Sequence, residues 1–310
     1  MHEPNPKPRL AVIDLGTNTF HLLIAEPHEE GHFTEVLRDR AFIKLAENGI
    51  QRIGEAPFAR GLDTLRRFAG HIRNLQVSQV RALGTAALRT AENGAEFLQT
   101  VLAETGISIE LIDGREEARL IYQGVSLALG NYAADRHLVM DIGGGSVEFI
   151  IADERQVYWA ESFPVGVAVL YRNFHQSDPL SAQEREQLLL FLRSTLAPLA
   201  IALARYPATR LVGAAGTFDV IEALLSTARL TPHASRIDLA RYHPFSREVS
   251  SATLAQRAAM PGIPSDRVDM IAVALVLVDT ILEMAGIEEL TVSAFSLKEG
   301  VLAELLAAAQ

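Results

Sequence analysis

The sequence contains no cysteine. That excludes a disulfide framework, a thiolate metal site and a cysteine nucleophile, and it fits a reducing compartment. Nor is there an excess of positive charge: the formal net charge is −10. A uniformly negative surface argues against nonspecific nucleic-acid binding. An anionic ligand would need basic groups gathered locally, or a metal. The opening "MHEPNPKPRL" is polar and proline-rich, has no apolar stretch, and reads as a short loose arm and not a secretory signal. Long uncharged apolar runs are also missing. The strongest candidate for a membrane span, "VDMIAVALVLVDTILEMAG" (268–286), is interrupted by Asp269, Asp279 and Glu283 and reads as a buried helix. These absences predict a soluble, cytoplasmic protein with no membrane or nucleic-acid partner.

What is present is apolar residue in quantity. Of 310 residues, 49% are hydrophobic and 21% charged, enough for a packed core. The length favours two domains. A duplication supports that division. Shifted by 127 positions, "VIDLGTNTFHLLIAE" (12–26) falls on "VMDIGGGSVEFIIAD" (139–153) without a gap. Val12, Asp14, Gly16, Ile24 and Ala25 meet identical residues at Val139, Asp141, Gly143, Ile151 and Ala152. Each copy reads as strand, tight glycine turn, strand.

Between the copies, Phe58, Leu62, Leu65, Ala69 and Ile72 recur at helical spacing. A strand and small-residue turn ending near Arg89 follow, then a helix to about Thr105, the strand "ISIELI", and a helix after Gly114. The second half repeats the plan. "QVYWAESFPVG" extends its sheet. Ser181 and Glu184 form a capping-box pattern opening a helix to about Arg205, with a kink expected at Pro198. "RLVGAAGTFDVIEAL" reads as strand, glycine turn, helix; 229–266 reads as loop-rich with short helices; and the strand "ELTVSA" precedes a last helix. Alternating strands and helices in two halves predict an α/β fold. The boundary is expected near 127–136, giving 1–128 plus 296–310 as one domain and 129–295 as the other.

Glycine turns let successive backbone N–H groups point at an anion, with no side chain to block it. The candidates are Gly143, Gly144, Gly145 and Ser146; Gly16, Thr17, Asn18 and Thr19; and Gly216 with Thr217, ahead of a helix whose N-terminus also favours anions. Singly, each turn is equally an ordinary hairpin or helix start. Three such turns carrying hydroxyls, two of them in register, point to phosphate. Asp14 and Asp141 stand at strand ends, two residues before their glycines. Beside a phosphate, a carboxylate needs a hard cation between, which suits Mg²⁺; otherwise each Asp caps its turn. Glu148 follows Asp141 by seven residues, where the first copy has His21. Glu116 and Glu117 open a helix, where acidic side chains favour the dipole, or where one of them serves as a base for water. Arg89 is a candidate phosphate clamp.

Taken together, "AVIDLGTNTFHLLIAE", "LGTAALRTAENGAEFL", "GREEARLIYQGV", "MDIGGGSVEFII" and "GAAGT" resemble, in order, the motifs of the exopolyphosphatase / guanosine pentaphosphate phosphatase (Ppx/GppA) family. The resemblance runs from about residue 9 to 306. It implies two actin-like (ASKHA, ribonuclease H-like) α/β domains flanking a central cleft, with the last helix returning to the first domain. It implies hydrolysis of a terminal phosphoanhydride with Mg²⁺ or Mn²⁺. Glu117 falls on the family's catalytic base and Arg89 on the second motif's arginine. Asp141, Glu148 and Asp14 fall on its metal-associated acids, and Gly143–Ser146 on its phosphate loop. Lys44 matches a position often basic in the family.

The sequence departs from the family in places. Thr17 and Thr19 replace the usual serines, and Lys298 stands where an arginine is common. Long family members carry additional C-terminal helical domains, so the 310-residue chain is expected to lack processivity on long polymers. Inorganic polyphosphate is the first substrate expectation, and guanosine pentaphosphate (pppGpp), or both, the second. A kinase, an ATPase or a silent phosphate-ligand sensor of the same superfamily is a third. The oligomeric state is open, with a homodimer the form considered.

Overall fold

The apolar hairpins of the sequence become the centres of two sheets. In the computed structural model, residues 8–28 and 33–308 are described; the N-terminal arm expected at 1–10 lies largely outside them. The chain divides into two units: Met1–Asp113 with Leu297–Gln310, and Gly114–Ser296.

Unit 1 is built on five strands: β1 (Leu10–Leu15), β2 (Thr19–Pro27), β3 (Phe33–Phe42), β4 (Gln79–Gly84) and β5 (Ile109–Leu111). Their order is β3-β2-β1-β4-β5. β1–β2–β3 is an antiparallel meander, while β4 runs parallel to β1 and β5 to β4. One face, carrying Ala11, Ile13, Leu15, Phe20, Leu22 and Ile24, packs in the core with Leu62, Leu65 and Phe68 of α1 (Glu55–Asn74). Leu62 and Leu65 are among the positions whose spacing marked a helix face, and Ala69, Phe58 and Ile72 from that set also pack in or against this core. Phe97 and Val101 of α3 (Gly94–Thr105) join the same core, and the short α2 (Ala86–Thr90) leads into α3.

Unit 2 opens with α4 (Gly114–Leu129) and then repeats the plan with β6 (His137–Ile142), β7 (Val147–Ala152) and β8 (Val157–Phe163). Its helices are α5 (Val167–Phe174), α6 (Ala182–Thr195), α7 (Ala197–Arg205), α8 (Gly216–Leu225), α9 (Leu239–Ser251), α10 (Leu254–Ala259) and α11 (Ile271–Ala285). The remaining strands are β9 (Arg210–Ala214), β10 (Ser226–Thr231), β11 (Ala234–Ile237) and β12 (Glu289–Ser293). The sheet order, β10-β11-β12-β9-β6-β7-β8, contains the five-strand order of unit 1 with β10–β11 added at one edge. The final helix, α12 (Leu297–Ala308), packs on β1 and belongs to unit 1.

Some expectations shift. The division falls at Asp113/Gly114 and not at 128/129, because α4 packs on β7 and β8 of unit 2. The stretch 229–266 is more ordered than a loop: it completes the edge hairpin β10–β11 and forms α9, which packs on α11. Pro244 lies inside α9. The Ser181–Glu184 capping box is present, and the helix it opens breaks at Leu196, ahead of Pro198 at the start of α7. α11 is buried on nearly every side from Ile271 to Leu282, with each full leucine or isoleucine burial contributing roughly 1.5–3 kcal/mol. Among the described residues, no single helix is long and apolar enough to cross a membrane. α6 and α7 pass jointly by length and composition, but they are bent by 55°, and Leu188, Leu192 and Leu199 are buried in the core.

Candidate functional site

In unit 2 the parallel strands β6, β9 and β12 end side by side: Asp141 stands opposite Ala214, and Ala214 opposite Ser293. The carboxyl ends of such strands are where α/β sheets gather ligands. Two sequence-predicted features meet there, the turn Gly143–Ser146 leaving β6 and Gly216 with Thr217 opening α8 after β9, and Ser296, following β12, joins them.

The packing accounts for the run of glycines. The carbonyls of Gly143, Gly144 and Gly145 accept N–H groups of Val167 (3.0 Å), Ala168 (2.9 Å) and Gly166 (3.3 Å) at the start of α5. A planar trans peptide points its C=O and N–H in opposite directions. With those carbonyls turned to α5, the N–H groups of Gly144, Gly145 and Ser146 are turned away from it together, as an anion nest requires. Gly166 lies so close to the peptides of Gly144 and Gly145 that a Cβ on it would overlap them. The turn is closed by Gly143 N–H donating to the Ser146 carbonyl at 3.0 Å.

A row of polar side chains crosses the sheet beside this turn. Asp141, Glu148 and Ser162 stand directly opposite one another on β6, β7 and β8. Asp141 and Glu148 are 7% and 1% exposed, and burial of two carboxylates is costly without partners. Ser162 Oγ donates to Glu148 Oε1 at 2.7 Å, and Ser296 Oγ donates to Asp141 Oδ2. Ser162 also seats α4: a Cβ on Gly114 would lie 2.5 Å from Ser162 Cβ. α4 then carries the two glutamates that the sequence left as alternatives, and the structure separates them. Glu116 is held by Arg119 through two bonds of 2.6 and 2.8 Å, whereas Glu117 is buried, 7% exposed.

At the third turn, Ala215 has φ +66 and α8 starts at Gly216. The Arg267 guanidinium lies against Gly216, where any Cβ would displace it. Sequence reasoning missed Arg267, Ser162, Ser296 and Gly166. All four come from distant segments, and no local motif announced them.

Unit 1 repeats the design. Gly16 N–H donates to the Thr19 carbonyl at 3.1 Å, the counterpart of the Gly143–Ser146 bond. The Asn18 carbonyl accepts from Ile43 and Lys44 N–H (2.7 and 3.0 Å), and the Thr17 carbonyl from Leu45 N–H (2.8 Å). Thr17, Asn18 and Thr19 are buried. Lys44 is held at φ +51, a left-handed conformation that costs of order 1 kcal/mol in a residue with a Cβ. Arg89, exposed at the end of α2, donates through Nη1 to the Ile112 carbonyl, beside the end of β5. Asp14 stands opposite His21, so unit 1 has no counterpart of the Asp141–Glu148 pair.

The residues of unit 2 fit a hard divalent cation. Asp141 and Glu148 offer paired, buried oxygen donors, and Mg²⁺ is commonly bound by one or two carboxylates with waters and phosphate oxygens completing its shell. Among the described residues there is no cluster of three or more His, Asp or Glu that would hold a metal by itself.

The family model described as the Ppx/GppA phosphatase family matches residues 23–309. A guanosine-5'-triphosphate,3'-diphosphate pyrophosphatase of Aeromonas hydrophila is 29% identical over 302 residues, 96% of this chain and 60% of that protein. A protein of the same name from Photobacterium profundum is 28% identical over 98% of this chain and 61% of its own length. The chain thus spans about three-fifths of the length of these relatives. The crystal structure of an exopolyphosphatase from Cytophaga hutchinsonii superimposes with a TM-score of 0.91 at 33% identity, covering 97% of this chain and 98% of that one. A Ppx/GppA family member from Aquifex aeolicus, at 24% identity and a TM-score of 0.81, shares the fold. With motifs, actin-like fold and a match across nearly its whole length, the chain belongs to the Ppx/GppA phosphatase family.

Proposed function

We propose that the chain hydrolyses the terminal phosphoanhydride of inorganic polyphosphate and releases orthophosphate. The observation that carries this reading is the Gly143–Ser146 turn, whose carbonyls are tied to α5 and whose N–H groups are turned the other way, beside the buried Asp141–Glu148 pair. Phosphoryl transfer asks for positioning and charge neutralisation more than for covalent chemistry. The N–H groups of Gly144, Gly145 and Ser146 take up charge on the terminal phosphate oxygens, with Gly216, Thr217 and Arg267 at the neighbouring strand end. The reading also assigns phosphate contacts to Gly16–Thr19 and Arg89 of unit 1. Glu117 orients water and accepts its proton as the oxygen bonds to phosphorus and the bridging P–O bond breaks. Asp141 and Glu148 would hold Mg²⁺ or Mn²⁺, which supplies further charge neutralisation when bound. Asp14 is the third acid in this reading, on unit 1.

The Cytophaga hutchinsonii exopolyphosphatase, matched over almost its full length, favours polyphosphate as substrate. The names of the longer curated relatives favour a second reading, pppGpp 5'-phosphohydrolysis or dual specificity. Both use the same terminal-phosphate chemistry. The test is orthophosphate release from defined polyphosphate and from pppGpp at matched concentrations. Faster turnover of polyphosphate is expected. Turnover of pppGpp alone would replace the first reading with the second.

A further inference from the structure

The duplication extends beyond the hairpins into a third strand. In unit 2 the row is Asp141, Glu148, Ser162; in unit 1 the matching row across β1, β2 and β3 is Asp14, His21, Arg40. The third strand is equivalent as well, because its pairing slips at the same place in both units. β2–β3 slips between Ile24 and Ala25, and β7–β8 between Ile151 and Ala152, again 127 positions apart. The chain has kept the frame and changed the charge. Glu has become His, and Ser has become Arg. Two carboxylates in a row suit a cation, whereas one carboxylate followed by an imidazole and a guanidinium suits an anion at its basic end.

The cations nearby are not alike. Arg38 pairs with Glu35 (2.7 Å) and with the buried Glu299 of α12 (3.2 Å), and Arg67 of α1 pairs with Asp39 (2.8 Å). Arg40, two residues after Arg38 on β3, is exposed, and its side chain makes no hydrogen bond or ion pair among the described residues. Two residues on, Phe42 stands opposite Thr19, the last residue of the Gly16–Thr19 turn, and Lys44 Nζ lies 5.9 Å from the centre of the Phe42 ring. The turn therefore has cationic side chains along the strand that adjoins it.

We propose that Arg40 is a binding residue for the linear phosphate chain, contacting phosphates on unit 1 beside the Gly16–Thr19 turn. This rests on the phosphoanhydride reading above. A guanidinium makes paired, charge-assisted bonds to phosphate oxygens. A single phosphate seated in a turn has no need of it, and a chain of several does.

The test reads binding, so it stands apart from the fate of the hydrolysis reading. The full chain is titrated calorimetrically with orthophosphate and with the methylene-bridged analogue of tripolyphosphate, which cannot be hydrolysed. Arg40→Ala is expected to weaken the triphosphate analogue about tenfold and to leave orthophosphate within about twofold, as expected when one charge-assisted contact is lost. The salt dependence of analogue binding should flatten by about one unit of log–log slope. Arg40→Lys should recover part of the loss. Arg73→Ala, the same charge change on exposed α1, should do neither. Analogue binding unchanged in Arg40→Ala, or weakened equally by Arg73→Ala, overturns the proposal. Melting temperatures confirm that the exposed substitutions leave the fold intact.

Discussion

Gly166 rests directly on the peptide of Gly144, and its N–H donates to the carbonyl of Gly145. The contact ties the N-terminus of α5 to the Gly143–Ser146 turn and fixes which way the turn's N–H groups face. A side chain at Gly166 separates the two. Gly166→Ala is therefore expected to destabilise unit 2 by about 1–3 kcal/mol through overpacking against backbone. It should also raise KM for the phosphate substrate, because the carbonyls lose their partners and the nest loses its orientation. Urea unfolding and steady-state kinetics on the same preparation check both effects. Unchanged stability with unchanged KM would remove α5 from the account.

Ser162 holds Glu148 at 2.7 Å and seats Gly114 at the start of α4. Ser162→Ala is expected to weaken Mn²⁺ binding, measured by EPR without substrate, by about 10-fold, the usual size of losing a partner that orients a metal ligand. Half-saturation of activity by Mg²⁺ should rise in parallel, with kcat largely recovered at saturating metal. Mn²⁺ affinity equal to wild type would show that the serine only fills space. If chelation with EDTA leaves the rate untouched, the metal role of Asp141 and Glu148 falls as well.

Glu184 shows how a local cap acquires a pH dependence. Burial pushes its pKa up, but hydrogen bonds from Ser177, Ser181 and Gln176 outweigh that and hold it down at about 2, against an ordinary 4.5. Because the folded value is depressed, the stabilisation is complete above the unfolded pKa. It is lost as pH falls from about 4.5 towards 2. Thermal melts should show wild type losing stability across that window more steeply than Glu184→Gln. Ser181→Ala should cost about 1 kcal/mol at neutral pH through loss of the cap. Parallel acid limbs in wild type and Glu184→Gln would contradict this assignment.

The two hairpins were legible in the sequence because they are local. Turn chemistry, alternating apolar residues and a 127-residue shift sufficed to align Asp14 with Asp141 and His21 with Glu148. Capping chemistry likewise marked Ser181. What stayed hidden depends on contacts between distant segments. Gly166 shapes a turn twenty residues earlier, Ser296 reaches Asp141 from β12, and Arg267 covers Gly216 from the loop before α11. The unit boundary was misplaced for the same reason: α4 follows β5 in sequence, but its face packs on β7 and β8. The edge strand β10 is exposed along most of its length and β11 spans only four residues, so periodicity gave them little signal.

In the proposed reaction Glu117 is the base for water, distinguished from Glu116 by its burial and by the Arg119 pairing that occupies Glu116. Single-turnover phosphate release by Glu117→Gln tests it most directly, alongside calorimetric binding of the methylene-bridged analogue. The account predicts release slowed by at least about 10²-fold, the scale of general-base catalysis, with analogue affinity within a few-fold of wild type. Wild-type release from Glu117→Gln would contradict it.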